Sequence, residues 1–224
     1  MKIHRFIVTL LISLLSYSSF GQLRPVLYGG VDYYRNTGFL SNAHANVQVG
    51  AQLFKWRFLA PEVGFEYDFG SPNAREQLNP EDPNARPPSK LESRFSSGTI
   101  TIAPKVIIGN KEAAIVLLPQ YNIGKISARG DLLKDTGNQY VLEERQRVSE
   151  ATDFWSFAAG IEGQFWESDI LNFSLLLKYS LLDSEEILEQ INVGEPALNS
   201  PEGSAGDLGL TFRVYFDLMV LLQK

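Results

Sequence analysis

Nine ionisable residues fall at alternate positions of segments whose other positions are mostly apolar. They are Asp32, Glu62, Glu66, Asp68, Lys105, Glu162, Lys178, Arg213 and Asp217. Because successive residues of a β-strand point to opposite faces, these side chains would share the polar face of one sheet. An unpaired ion in an enclosed space is very costly, so we expect these acids and bases to pair with one another.

Two interpretations of this charged set remain open. In the first, the charges form a closed network of ion pairs that plugs the lumen of a barrel, since an eight-stranded barrel is just wide enough for side chains to fill. In the second, they line a narrow pore that prefers cations because acids outnumber bases. Single-channel conductance distinguishes the two.

Enzyme chemistry has little support in the sequence. The one histidine after residue 21 is His44, and Ser41 lies three residues before it. A hydrolase would need a nucleophile, a base and an orienting group within reach of one another, and sequence adjacency provides none of that geometry. We therefore predict an ordinary loop histidine and no enzyme. No phosphate-binding glycine loop, nucleotide fingerprint or metal-ligand cluster is present, so no cofactor or metal is expected.

The clearest element that would position the charges is the last stretch, Gly206–Lys224. Apolar residues occupy every second position from Leu208 to Leu222, and the polar positions include Arg213 and Asp217. A strand that crosses a bilayer at a tilt needs about 9–11 residues, with lipid on one face and a polar lumen on the other. This stretch therefore predicts a membrane-spanning strand.

The same alternation predicts seven further strands before this one. They are Val26–Tyr34, Ala45–Phe54, Phe58–Phe69, Phe95–Ile108, Ala114–Ala128, Thr152–Trp166 and Asn172–Leu182. Short links alternate with four long ones, which are Arg35–His44, Gly70–Arg94, Arg129–Ala151 and Asp183–Ala205. Short periplasmic turns and longer extracellular loops are typical of bacterial barrels. The predicted fold class is all-β, an eight-stranded antiparallel up-and-down transmembrane β-barrel.

Two local features qualify this layout. Pro61, Pro104 and Pro119 fall inside predicted strands, where each removes a hydrogen-bond donor, so we expect bulges or strand ends there. The last long loop is acidic, and Asp183 with Glu186 could cap a short helix. We predict a solvated acidic loop, with Ca²⁺ binding as the alternative.

Aromatic residues lie near both ends of the predicted strands. Trp56, Phe165 and Trp166 lie at the tight-turn end, and Tyr33, Tyr67, Trp155 and Tyr179 lie nearer the long-loop end. Two aromatic girdles are expected where strands meet lipid headgroups. The alternative is that aromatic residues simply favour strands.

The start of the chain predicts export. Lys2 and Arg5 precede the apolar run Phe6–Leu15, and small residues then precede a cleavage point after Gly21. We interpret residues 1–21 as a signal peptide and 22–224 as the barrel domain, with an amphipathic first helix as the alternative. The absence of cysteine excludes disulfides and a lipid-bearing cysteine. The net charge of −6, with no basic stripe, argues against a nucleic-acid partner.

Three segments resemble the outer-membrane β-barrel proteins common in Bacteroidetes, the OmpX/OmpA-like and PorT-like group. These segments are the signal ending SSFGQ, FLAPEVGFEYDFG at Phe58–Gly70 and TITIAPKVIIG at Thr99–Gly109. The final strand is similar to the assembly signal of such barrels, at Asp207, Gly209, Phe212 and Val214. The resemblance implies a shared fold and location rather than one activity.

The expected location is the cell outer membrane. The expected partners are outer-membrane lipid, the barrel-assembly machinery during insertion, and an unknown extracellular ligand or protein. We predict a structural or surface-interaction protein that acts through its extracellular loops. The alternative is a small porin-like passive channel for ions or small solutes. Soluble lipid carriage would require the reverse pattern, apolar inside and polar outside.

Overall fold

The computed structural model describes residues 25–35, 43–72, 74–77, 87–110, 112–164, 170–194 and 206–218. The predicted signal peptide, Phe165 and Trp166 lie outside these ranges. The described strands are β1 Val26–Arg35, β2 Ala43–Gln52, β3 Leu59–Gly70, β4 Arg75–Glu76, β5 Ser89–Gly109, β6 Ala114–Asp135, β7 Tyr140–Gln164, β8 Leu171–Ser180 and β9 Asp207–Asp217. The helix α1 spans Glu185–Glu189. No helix in the described ranges combines the length and apolar character needed to cross a bilayer.

Eight of these strands form a closed antiparallel ring. Each pairs with its neighbours in the order β3, β2, β1, β9, β8, β7, β6, β5, and the pairing of β3 with β5 closes the ring. Following directly paired residues around the ring from Tyr33 through β2 leads to Phe69 of β3. Following them the other way, through β9 to β5, leads to Leu59 of the same strand. The two end points differ by ten positions, which is the stagger of the closed sheet. Such a stagger is what closing a tilted sheet requires. The predicted fold class is confirmed.

The wall has an apolar outside and a polar inside. On β9, Leu210 and Phe212 are 56% and 44% exposed, whereas Arg213 between the outward positions is completely buried. Other exposed outward side chains include Val31, Val49, Phe65, Ile100, Ile102, Ile123, Ile161, Leu175 and Leu177. This is the pattern of a transmembrane barrel rather than of a soluble one.

Glycines on the inner face make room for a large aromatic residue. Tyr28 lies in one row with Gly50 and Gly64, on three neighbouring strands. A Cβ atom at Gly50 would lie 2.6 Å from Cζ of the Tyr28 ring, and one at Gly64 would contact its hydroxyl oxygen. The buried tyrosine can therefore lie flat across two strands only because neither carries a side chain there.

Replacing Gly64 by alanine is expected to destabilise the barrel by about 1–3 kcal/mol, the usual cost of overpacking a filled interior. The new Cβ would also lie 2.8 Å from the carbonyl oxygen of Val49, which is backbone and cannot rotate away. Gly98→Ala is the matched control, because its Cβ would come no closer than 3.5 Å to the Phe65 ring. Urea unfolding in detergent micelles measures both variants, and equal stability of the two would contradict the packing described here.

The largest departure from the sequence prediction is the third long connection. Residues 129–151 were expected to form a loop, but β6 continues to Asp135 and β7 begins at Tyr140, so most of this segment is a hairpin that rises above the ring. The second connection also contains strand, since β5 begins at Ser89 and pairs with β4. Both predicted loops were wrong for the same reason: strands that project beyond the membrane need no apolar outward face, so the alternation that identified the other strands is missing there.

The prolines do not end the strands. Pro61 pairs with Pro104 across β3 and β5, and both strands continue past them. The register places Pro119 opposite Pro104, where the pairing of β5 with β6 is interrupted between Ile102 and Val106. A register shift occurs elsewhere, between Leu132 and Leu133 in the pairing of β6 with β7. The predicted bulges at the prolines were therefore wrong.

The last strand is shorter than predicted. β9 ends at Asp217, and residues 219–224 lie outside the described ranges. Its eleven residues still match the length that a tilted strand needs to cross a bilayer.

Candidate functional site

The lumen holds three fully buried cations, each paired with carboxylates from other strands. Lys105 Nζ lies 3.1 Å from Glu62 Oε1 and 2.6 Å from Glu162 Oε2. Arg213 donates to Glu62 Oε2 at 2.9 Å. These contacts join strands β3, β5, β7 and β9 across the interior, so the charges hold opposite sides of the wall together.

The third cation forms a second centre nearer the long-loop end. Lys178 Nζ lies 2.9 Å from both Asp32 Oδ2 and Glu66 Oε2. The guanidinium of Arg213 is 3.8 Å from Glu66 Oε1, which connects the two centres. Asn46 extends the network by donating to Asp68 Oδ1 at 2.9 Å and to Glu66 Oε2 at 3.3 Å.

Eight of the nine predicted lumen residues are brought into this network by the contacts above. They are Asp32, Glu62, Glu66, Asp68, Lys105, Glu162, Lys178 and Arg213. Asp217 has the predicted inward parity but is only half-buried, because it lies at the tight-turn end of β9. Its backbone N–H donates to the carbonyl oxygen of Ile170 at 3.0 Å.

Buried tyrosines, which the sequence analysis did not assign to the site, complete the network. Lys105 Nζ lies 3.7 Å from the centre of the Tyr215 ring, and the Arg213 guanidinium lies 4.8 Å from that of Tyr28. Tyr34 donates its hydroxyl to Asp32 Oδ2 at 3.0 Å. Cation–π contacts of this kind strengthen when water is excluded. Their inward parity on β1 and β9 was the signal that could have identified them.

The prediction of an ordinary loop histidine was wrong. His44 lies in β2 and is buried, with its ring stacked on Tyr34 at 4.5 Å between centroids. Its Nδ1 lies 3.6 Å from Asp207 Oδ2 on β9. Ser41 lies outside the described residues. This histidine therefore belongs to the upper layer of the lumen.

An apolar cap lies above the charged layer, at the long-loop end. It consists of α1 and the residues that follow it, whose side chains Ile187, Leu188, Ile191 and Val193 are all buried. They pack against inward side chains of β5 and of the β6–β7 hairpin, called the tall hairpin below, among them Leu91, Phe95, Ile126, Leu132 and Phe154. The described part of the connection between β8 and β9, residues 181–194, thus folds back into the mouth of the barrel.

Hydrogen bonds hold the cap in place. Asp183 Oδ1 accepts the backbone N–H groups of Glu185 and Glu186, at 2.9 and 3.2 Å, from one residue before the N-cap, which is Ser184 and not Asp183 as predicted. Gln146 of β7 donates to the carbonyl oxygen of Gln190 at 3.2 Å and accepts from the N–H of Asn192 at 2.6 Å. These bonds tie the segment to the inside of the tall hairpin.

The prediction of a solvated acidic loop therefore did not include the burial of its apolar residues. Its acids do face solvent in the part that the structure describes, where Asp183, Glu185, Glu186 and Glu189 are exposed. No group of three or more acids or histidines among the described residues is arranged to hold a metal ion. A second apolar cluster lines the opposite end of the lumen, at Ala60, Ala103, Ile107, Ala114, Val116, Leu118, Ala158 and Leu176.

The other predicted sites lie on the outer face or in the last strand. Trp56, Tyr33, Tyr67, Trp155 and Tyr179 are exposed on the outside, where girdles would lie. Of the assembly-signal residues, Phe212 and Val214 face outward, Asp207 is buried, and Gly209 packs under the Tyr34 ring. Their role in assembly stays a prediction.

No family model matches the chain, and no curated protein matches it. Similar solved structures include Neisserial surface protein A, with 7% identity and a TM-score of 0.41, covering 86% of this chain and 96% of that one. They also include Ail, the attachment invasion locus protein of Yersinia pestis, in complex with the heparin analogue sucrose octasulfate, with 10% identity and a TM-score of 0.40, covering 88% and 97%. The N-terminal β-barrel domain of Pseudomonas aeruginosa OprF has 10% identity and a TM-score of 0.33, covering 88% and 98%. These neighbours are outer-membrane β-barrel proteins, and the likeness concerns the course of the strands alone.

Proposed function

We propose that this protein is an integral outer-membrane barrel with a closed lumen, which acts as a structural or surface-interaction protein through its extracellular parts. The observation that carries the proposal is the complete burial of Lys105, Lys178 and Arg213 among carboxylates beneath an apolar cap. A conducting pore needs a continuous aqueous path. Ion pairs across the whole interior and a hydrophobic lid both stand against one.

The outer surface supports the membrane location. Apolar side chains cover the outside of all eight strands of the ring, and an exposed apolar surface of this extent in water would drive aggregation. In a bilayer the same surface is stable, and the closed ring leaves no unpaired strand edge facing lipid. The signal peptide predicted at residues 1–21 is consistent with export to that membrane.

The shape of the outer end supports an interaction role. The β6–β7 hairpin rises above the rim, and its outward positions carry charged side chains such as Glu143, Arg145 and Arg147. Surface loops and hairpins held on a rigid scaffold are common places for binding residues. In this proposal the barrel is the scaffold, and the β6–β7 hairpin together with the cap forms the binding surface.

Planar-bilayer recording tests the closed lumen. We expect the refolded protein to insert and to show no stepwise conductance, because the path is blocked at two levels. Heat-dependent gel mobility of the same preparation shows whether the barrel is folded, so that a silent bilayer is not mistaken for failed insertion. Cation-selective steps that scale with salt concentration would overturn this proposal in favour of the passive channel.

A further inference from the structure

Three arginines form a row on the outer face of the barrel. The row lies just beyond the band of exposed apolar side chains on the ring, called the apolar belt below, on the long-loop side of that band. Arg94 of β5 pairs with Arg129 of β6, and Arg129 pairs with Arg147 of β7. All three lie on outward positions. Directly opposite residues of neighbouring strands have Cβ atoms about 4.5–5.5 Å apart, and like charges at that spacing repel. A row of this kind is costly unless an anion lies against it.

The protein itself supplies little compensation. Asp131 accepts from Arg129 Nε at 3.0 Å and also pairs with Arg145 at 2.7 Å. Within the described residues, Arg94 and Arg147 have no ion-pair partner and are exposed. The row therefore presents an excess of positive charge to whatever contacts the barrel wall at this height.

The row borders a recess of about 570 Å³ with two kinds of lining. Arg94, Arg129 and Arg147 line it together with Ser96 and Ser127, and the aromatic residues Tyr67 and Phe69 line it as well. This combination suits a molecule with a phosphorylated polar part and an apolar part. Arginine binds phosphate through two parallel hydrogen bonds, which a point charge cannot do.

The register fixes the height of the recess. Phe69, an exposed belt residue, pairs with Ser96, and Arg94 lies two residues farther along β5, about 7 Å along the strand. Lys125, one outward row below Ser127 on β6, adds a further cation at the level of Tyr67. Phosphate groups at a bilayer surface lie directly above the aromatic girdle, so the cations are at headgroup level.

We propose that this recess binds the phosphate groups of a phosphorylated lipid in the surrounding outer leaflet, with Arg94, Arg129 and Arg147 as the phosphate ligands and Tyr67 and Phe69 against the lipid's apolar part. The inference rests on the proposed membrane location. It goes further by giving one side of the barrel a specific lipid contact. The lipid would also screen the repulsion within the arginine row.

Native mass spectrometry of the folded protein in neutral detergent tests the site, with bis-phosphorylated lipid A and its dephosphorylated form as probes. We expect the phosphorylated lipid to bind at least about tenfold more tightly, the factor that one charge-assisted hydrogen bond supplies. R94Q/R129Q/R147Q should lose about tenfold or more of that affinity. The control K90Q/K134Q removes two positive charges from β5 and β6 outside the recess, without touching Asp131, and should stay within about twofold.

Three results would overturn the inference: equal binding of both lipids, an unchanged affinity in R94Q/R129Q/R147Q, or displacement of the lipid by millimolar inorganic phosphate. The last would assign the row to a free anion. Heat-dependent gel mobility shows that each variant is folded. Because folding and conductance are read separately, loss of lipid binding in a barrel that inserts and stays silent would leave the proposed function intact.

Discussion

Replacing Glu62 by alanine is expected to lower the free energy of unfolding by about 3–5 kcal/mol, the usual cost of breaking a buried ion pair. Glu62 is shared between Lys105 and Arg213, with contacts of 3.1 and 2.9 Å. Its removal leaves Lys105 with Glu162 alone and Arg213 with the more distant Glu66 at 3.8 Å. Both cations stay buried, so the lost attraction is not replaced by water.

Equilibrium unfolding in urea, with the protein in detergent micelles, measures this effect. Glu143→Ala is the control, because Glu143 pairs with Lys134 at 3.3 Å on the exposed part of the hairpin. Such surface pairs contribute about 0–1 kcal/mol. A double variant, Glu62→Ala with Lys105→Met, also removes one of the two cations that lose Glu62 as a partner. It should recover part of the lost free energy of unfolding. If Glu62→Ala were as mild as the control, the network would contribute nothing to the stability of the barrel.

Replacing Leu188 by aspartate is expected to release the cap while leaving the ring closed. Leu188 is fully buried among the apolar side chains of the mouth, so the variant loses about 1.5–3 kcal/mol of hydrophobic burial and must also desolvate a carboxylate. A total above about 3 kcal/mol shifts the balance between docked and released cap by more than about a hundredfold.

Hydrogen exchange measures the release directly. The N–H of Leu188 donates to Ser184, and that of Ile191 donates to Leu188, so both amides are protected only while the cap is folded. Exchange there should accelerate about a hundredfold, with no change in the amides of β9. Glu189→Ala, at an exposed position of the same turn, should leave the rates unaltered. Unchanged exchange in Leu188→Asp would mean that the apolar side chains do not hold the cap.

The sequence was informative wherever one face of a strand meets lipid. Phe212 and Arg213 could be assigned to opposite faces because a membrane barrel separates apolar and polar side chains at every step. The same rule placed Lys105 and Lys178 in the lumen. It could not say which acid each would contact, because partners such as Glu66 and Lys178 lie on strands far apart in the sequence and meet only when the ring closes.

The parts that the sequence did not predict lie beyond the membrane. Residues 129–151 form a hairpin whose exposed positions are mostly polar, apart from Val141 and Leu142, so the alternation that marks the other strands is weak. The burial of the cap was not predicted for a different reason. Ile187, Leu188 and Ile191 have helical spacing, but the acids around them suggested a solvated loop. Tertiary contacts with the hairpin, which was itself missed, are what bury them.

The row of prolines affects how the wall would yield. Pro61, Pro104 and Pro119 have no amide hydrogen, and the pairing of β5 with β6 is broken beside them. A carbonyl left without a donor inside hydrocarbon finds no water to bind, so this row is a local weak point in an otherwise long pairing of β5 with β6. Any loosening of the wall that begins at the prolines would therefore face the acyl chains rather than either mouth of the barrel.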